Sequence, residues 1–211
     1  MNSVSEGPPD TEVDPPTLSV SEKADVLGRV AAAINARGLE AGRAELVASY
    51  PFVTVEKSPR RYTERQLLQV YYRDGFVDRY SRDRLVHPGV LRVLAAHFPE
   101  EFPVHPNWAM AKTHFAFWEL FPTLDHVVPV SRGGADDAPN WVTTSMLRNS
   151  AKAHWTLEEL GWQLHPLGDC REWDGLSEWF VDHVSAHPEL RVSPYIARWW
   201  RATVEVRASL S

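Results

Sequence analysis

Within residues 125–152, DHVVPVSRGGADDAPNWVTTSMLRNSAK, the chain sets an Asp-His pair, a Gly-Gly turn, an Asn 14 residues after the His and a second Asn nine residues later. These residue types suit phosphodiester hydrolysis. The reaction needs a cation to neutralise charge on the phosphoryl oxygens, a base to activate water and stabilisation of the leaving oxygen. Asp125 supplies a carboxylate and Asn149 an amide oxygen. Mg²⁺ or Mn²⁺ retains several waters, so one ion needs no more protein oxygens than these. His126 is the candidate base, because an imidazole titrates near neutrality and can take a proton from water. Asn140 lies where its amide reaches the loop backbone or the His126 ring, so it orients the base rather than touching substrate. Lys152, three residues beyond Asn149, shares its helix face and is a candidate phosphate contact. Arg73 and Arg132 complete the candidate nucleic-acid-binding set.

Positioning these groups requires a strand, a loop and a helix in that order. The sequence predicts a strand over 123–130, a loop over 131–139, a short return strand over 140–142 and a helix over about 144–154. Neighbours on a strand face opposite ways, so metal and water must meet at the strand's end or flank it from the helix. Pro129 and Gly133-Gly134 permit an early break.

Around this unit the pattern is helical. Ser19 with Glu22 forms a capping box for a helix ending at Gly38, and a second helix covers 39–49. Thr63 with Gln66 caps a third, which stops at Asp74-Gly75. Residues 76–86 read as a short hairpin, and Pro88 opens a helix through Phe98. Residues 99–122 are dense in Pro and aromatics and resist assignment. Thr156 with Glu159 caps a short helix before Gly161. Two amphipathic helices follow, carrying Leu176, Trp179, Phe180 and Val184, then Ile196, Trp199, Trp200 and Val204, with their Trp residues expected in the core. The fold class is therefore α+β, mostly helical, around one small antiparallel hairpin.

Composition leaves this chemistry open. The 211 residues hold 9 Trp, 6 Tyr and 8 Phe, enough for a packed core. The net charge of −6 argues against a nucleic-acid partner, but its distribution weakens that argument. Residues 1–25 carry a net −5, and residues 57–84 hold eight Lys/Arg against four Asp/Glu. That local excess suits either a basic binding face or an ordinary solvated helix face. Residues 1–17 read as a disordered acidic tail. No apolar run is long enough to span a bilayer, the N-terminus lacks a secretory pattern, and Cys170 is the sole cysteine. A cytoplasmic protein without membrane association is expected.

The ordered pattern DHxxPxxxGG, then N, then NxxK resembles the HNH endonucleases of the ββα-metal class, over roughly residues 71–155. The resemblance implies that Asp125 and Asn149 hold the metal, His126 is the general base and Asn140 is structural. Asn149 stands where the family name has its last His, a variant also found in active members. Many members begin RDGFxCxxCG and carry another CxxC before the last ligand, four thiolates holding a structural zinc. This chain has RDGFVDRYSR and SMLRN, which put Asp78, Ser81, Ser145 and Arg148 at those positions. All four are replaced together, so no structural zinc is expected, and an Asp78–Arg148 ion pair is a candidate substitute.

The domains expected are the tail 1–17, N-terminal helices over 18–62, a nuclease module over 63–155 with an insertion at 87–122, and a C-terminal helical extension over 156–211. His105, His114 and Glu119 in the insertion are expected to pack rather than act. His183 and His187 have ligand-pair spacing but precede Pro188, and no metal is expected there. The activity expected is metal-dependent cleavage of DNA, with RNA a second candidate substrate. The alternative is a nucleic-acid-binding module that keeps the fold without the chemistry. A third possibility makes the C-terminal region a partner-binding domain.

Overall fold

A computed structural model describes residues 18–52 and 61–210. The tail 1–17 and the basic start of the 57–84 stretch lie outside the described residues. The chain divides into two compact units, residues 1–57 and 58–211. The first holds α1 (Val20–Arg37) and α2 (Leu39–Ser49), packed against each other. The capping box at Ser19 and Glu22 is formed, and Gly38 joins the helices with a left-handed φ of 82° that few other residues adopt.

The second unit is built on α3 (Glu64–Arg73), α4 (Pro88–His97), α5 (Ala116–Glu119), α6 (Met146–Lys152), α7 (Leu157–Leu160), α8 (Ser177–Ala186) and α9 (Pro194–Leu210). One sheet of two antiparallel strands, β1 (Pro122–His126) and β2 (Trp141–Ser145), precedes α6. The fold is thus α+β and mostly helical, with a short hairpin. α3, α4, α8 and α9 share one apolar core, with Leu68, Tyr71, Val90, Leu91, Phe180 and Trp199 among its members. The segment expected as a C-terminal extension is part of this core, because the apolar stripes of α8 and α9 are covered by α3 and α4. Trp199 is buried, whereas Trp179 is exposed and Trp200 half-buried, so the Trp residues divide between core and surface.

Three boundaries differ from the periodicity. β1 stops at His126 because the Asn140 side chain and backbone take over the next hydrogen bonds, and Pro129 turns the chain into a 3-10 segment. β2 extends three residues further than expected because two buried carboxylates serve its outer edge. Asp74 Oδ2 accepts from the Thr143 N–H at 2.7 Å and Asp78 Oδ2 from the Ser145 N–H at 2.8 Å. The helix then starts late, capped by the Ser145 hydroxyl on the Arg148 N–H. The hairpin expected at 76–86 is a single bridge, Val77 to Arg84, since residues 78–83 close as a tight turn with Arg82 at φ 70°.

Candidate active site

Asp125 and His126 occupy the last two positions of β1, opposite Val142 and Trp141. Strand alternation sends their side chains apart. Asp125 faces α6, where its Oδ2 accepts from the Tyr80 hydroxyl at 2.7 Å and pairs with Lys152 Nζ at 3.0 Å. Lys152 is fully buried and also donates to the His126 carbonyl at 2.7 Å. Burial, then the adjacent Asp125 carboxylate, pushes the Tyr80 hydroxyl far above its ordinary range, so it remains a donor.

The expected phosphate contact through Lys152 is therefore corrected. Its ammonium points inward as the counter-charge of Asp125, where a desolvated carboxylate and a carbonyl satisfy it. Arg73 is spent likewise: its Nε donates to Asp74, and Nη1 and Nη2 donate to the Ala138 and Trp141 carbonyls at 2.8 and 2.5 Å. These bonds tie the end of α3 to the loop before β2. Arg132 pairs with Glu159 at 3.1 Å.

His126 faces the loop between the strands. Its Nε2 lies 2.8 Å from Asp136 Oδ1, which also accepts from the Tyr62 hydroxyl at 2.6 Å and the Trp141 indole N–H at 2.8 Å. Desolvation raises the Asp136 carboxyl, but these three donors outweigh it and hold the group down at about 2. Asn140 makes no hydrogen bond to the ring among the described residues. Its Oδ1 accepts from the Val128 N–H and its Nδ2 donates to the Val128 and Ala135 carbonyls, all at 2.8–2.9 Å. Gly134 makes that closure possible, since a Cβ there would meet the Val128 carbonyl oxygen at 1.9 Å.

Asn149 fastens α6 to β1, donating from Nδ2 to Thr123 Oγ1 at 3.0 Å and to the Leu124 carbonyl at 3.2 Å. Its Oδ1 and the Asp125 Oδ1 make no hydrogen bond among the described residues. Both are hard oxygen donors, so they fit a Mg²⁺-like ion that keeps its remaining ligands as water. Among the described residues no three His, Cys, Asp or Glu side chains gather to hold a metal.

Protein-family models, curated proteins and solved structures all return no match.

The four positions at which the HNH resemblance would place zinc cysteines, Asp78, Ser81, Ser145 and Arg148, come together in space. Buried Asp78 accepts from the Tyr80 and Ser145 N–H groups and the Thr144 hydroxyl, and Arg148 Nε lies 3.7 Å from its Oδ2. Ser81 donates to Asp83 at 2.6 Å, and Asp83 pairs with Arg148 at 3.7 Å. The expected Asp78–Arg148 pair is present, within a larger hydrogen-bonded cluster.

Asp136, Tyr62, Tyr80 and Asp74 join the site without being expected from the sequence. Asp136 had a signal, an acid just after the Gly-Gly pair in a loop anchored by Asn140. Tyr80 and Tyr62, 45 and 74 residues from their partners, had none.

His105 and His114 each accept a nearby backbone N–H, and the exposed His114 stacks on Phe102. His183 Nε2 lies 2.9 Å from His97 Nε2, and its ring centroid is 4.5 Å from that of His187. No helix among the described residues is long and apolar enough to cross a membrane.

Proposed function

We propose that the protein is a cytoplasmic, metal-dependent endonuclease of HNH type that hydrolyses phosphodiester bonds in DNA. One observation carries the reading. β1, loop, β2 and α6 form a strand-loop-strand-helix unit with Asp125 and His126 at the end of β1 and Asn149 on the helix fastened to it. A bound Mg²⁺ or Mn²⁺ would neutralise charge on the phosphoryl and leaving oxygens. Asp125 and Asn149 would hold that ion. His126 would take a proton from a water whose oxygen attacks phosphorus. The bond to the leaving oxygen breaks, that oxygen takes a proton from solvent, and the ring returns its own proton to solvent. Asn140 acts at a distance from the chemistry by closing the loop beside His126.

The Lys152 ammonium on Asp125 favours a second reading, a nucleic-acid-binding module in which that carboxylate is purely structural. Plasmid nicking with Mg²⁺, Mn²⁺ or chelator separates the two. Metal-dependent nicking that His126→Ala abolishes, without loss of fold, is the expected result. A metal-dependent thermal shift that Asp125→Ala removes would accompany it. Nucleic-acid binding with neither nicking nor shift would establish the binding module instead.

A further inference from the structure

We infer that Asp136 is the positioning residue of His126, holding the ring with its proton on Nε2 and leaving Nδ1 as the nitrogen that faces the reaction. The role in catalysis rests on the nuclease reading above. The ring's tautomer does not.

An ionised carboxylate only accepts hydrogen bonds, so the partner 2.8 Å from Asp136 Oδ1 must be an N–H, and that nitrogen is Nε2. In the neutral ring Nδ1 is then the lone-pair nitrogen, and it makes no hydrogen bond among the described residues. Asp136 remains ionised because Tyr62 and Trp141 donate to the same oxygen. Those two rings also pack edge to face, with centroids 5.3 Å apart.

Asp136 is exposed and belongs to a loop, so something must deliver it. The delivery is visible in the Asn140 amide. It binds Val128, two residues past His126, and Ala135, the residue before Asp136, and so draws both ends of the loop together. Gly134 lets the backbones approach closely enough for this. Asn140 therefore acts on the base through Asp136 rather than through the ring itself. The arrangement matches the logic of a base held in one tautomer by a third group.

The test uses the full chain and long-range ¹⁵N NMR of the imidazole at a pH where the ring is neutral. The His126 signals are assigned by their loss in His126→Gln. In the wild type the proton should sit on Nε2 and exchange slowly with water. Asp136→Ala should speed that exchange at least tenfold and mix the two tautomers. Asp136→Asn keeps an acceptor oxygen, so it should retain mostly the Nε2–H form, and it keeps the test open if the Ala variant fails to fold. With a cleavable DNA, Asp136→Ala should lower kcat by about 10²-fold or more and leave KM within twofold, with Asp136→Asn between. A wild-type ring protonated on Nδ1, or a ring unchanged in folded Asp136→Ala, would overturn the assignment. Expected NMR results in a protein that cleaves nothing would support the Asp136 assignment and defeat the nuclease reading.

Discussion

Lys152 is buried from solvent, and the reason is Asp125. A desolvated ammonium is costly alone, and here a carboxylate at 3.0 Å and a carbonyl at 2.7 Å offset that cost. The pair also fixes Asp125: with Lys152 and the Tyr80 hydroxyl on Oδ2, the other oxygen has a defined direction. Removing one partner leaves the other charge buried and unpaired. Lys152→Met is therefore expected to cost about 3–5 kcal/mol in urea unfolding. Asp125→Asn combined with Lys152→Met should recover part of that loss. A single Lys152→Met variant as stable as the wild type would show that the pair is not held in solution.

At the scale of elements, β2 and α6 are braced by carboxylates rather than thiolates. Asp74 and Asp78, both fully buried, bind the Thr143 and Ser145 N–H groups on the edge of β2 that β1 does not cover. They replace a third strand. Arg79 supports the same edge by donating from its N–H to the Thr143 carbonyl and from Nη1 to Asp74. Two outcomes follow from this brace. The purified protein should contain no stoichiometric zinc by elemental analysis, and a zinc chelator should leave its melting temperature unchanged. Asp78→Ala should destabilise the protein by about 3 kcal/mol or more, since it strands buried donors that each cost about 1–3 kcal/mol unpaired. Chemical denaturation at neutral pH measures it, and a loss below 1 kcal/mol would refute the brace.

For the whole molecule the decisive buried group is His87, which leads into α4. Its ring stacks on Phe180 of α8 at 4.6 Å and meets Trp199 of α9 edge-on at 5.4 Å. Nδ1 accepts the Gly89 N–H and Nε2 donates to the Thr203 hydroxyl, which in turn donates to the Trp199 carbonyl. Burial pushes His87 down to about 3, so the folded protein keeps it neutral. The unfolded chain binds a proton there below about pH 6.5, and stability must fall as pH drops from about 6.5 toward 3. The full drop is of order 4–5 kcal/mol. His87→Leu should lower stability at pH 7 yet flatten this slope, as urea midpoints at pH 7, 5.5 and 4.5 would record. An identical slope in both proteins would assign the pH dependence to other groups.

Helix ends were legible because their signals are local: Ser19 with Glu22, Thr63 with Gln66 and Thr156 with Glu159 each form the capping box that their spacing predicts. Asp125, His126, Asn140 and Asn149 were legible for a similar reason, since all lie within 25 residues of one another. The extent of β2 was not, because the carboxylates that lengthen it come from 67–69 residues upstream. Lys152 misled because helical spacing tells which residues share a face but not what covers that face. Residue order alone fixes which chemical groups are present and in which succession strand, loop and helix carry them. Which of those groups meet depends on the folded chain: Lys152 with Asp125, Asp78 with β2, and Asp136 with His126. Side-chain partners are chosen by desolvation and packing between distant segments, and no local periodicity records that choice.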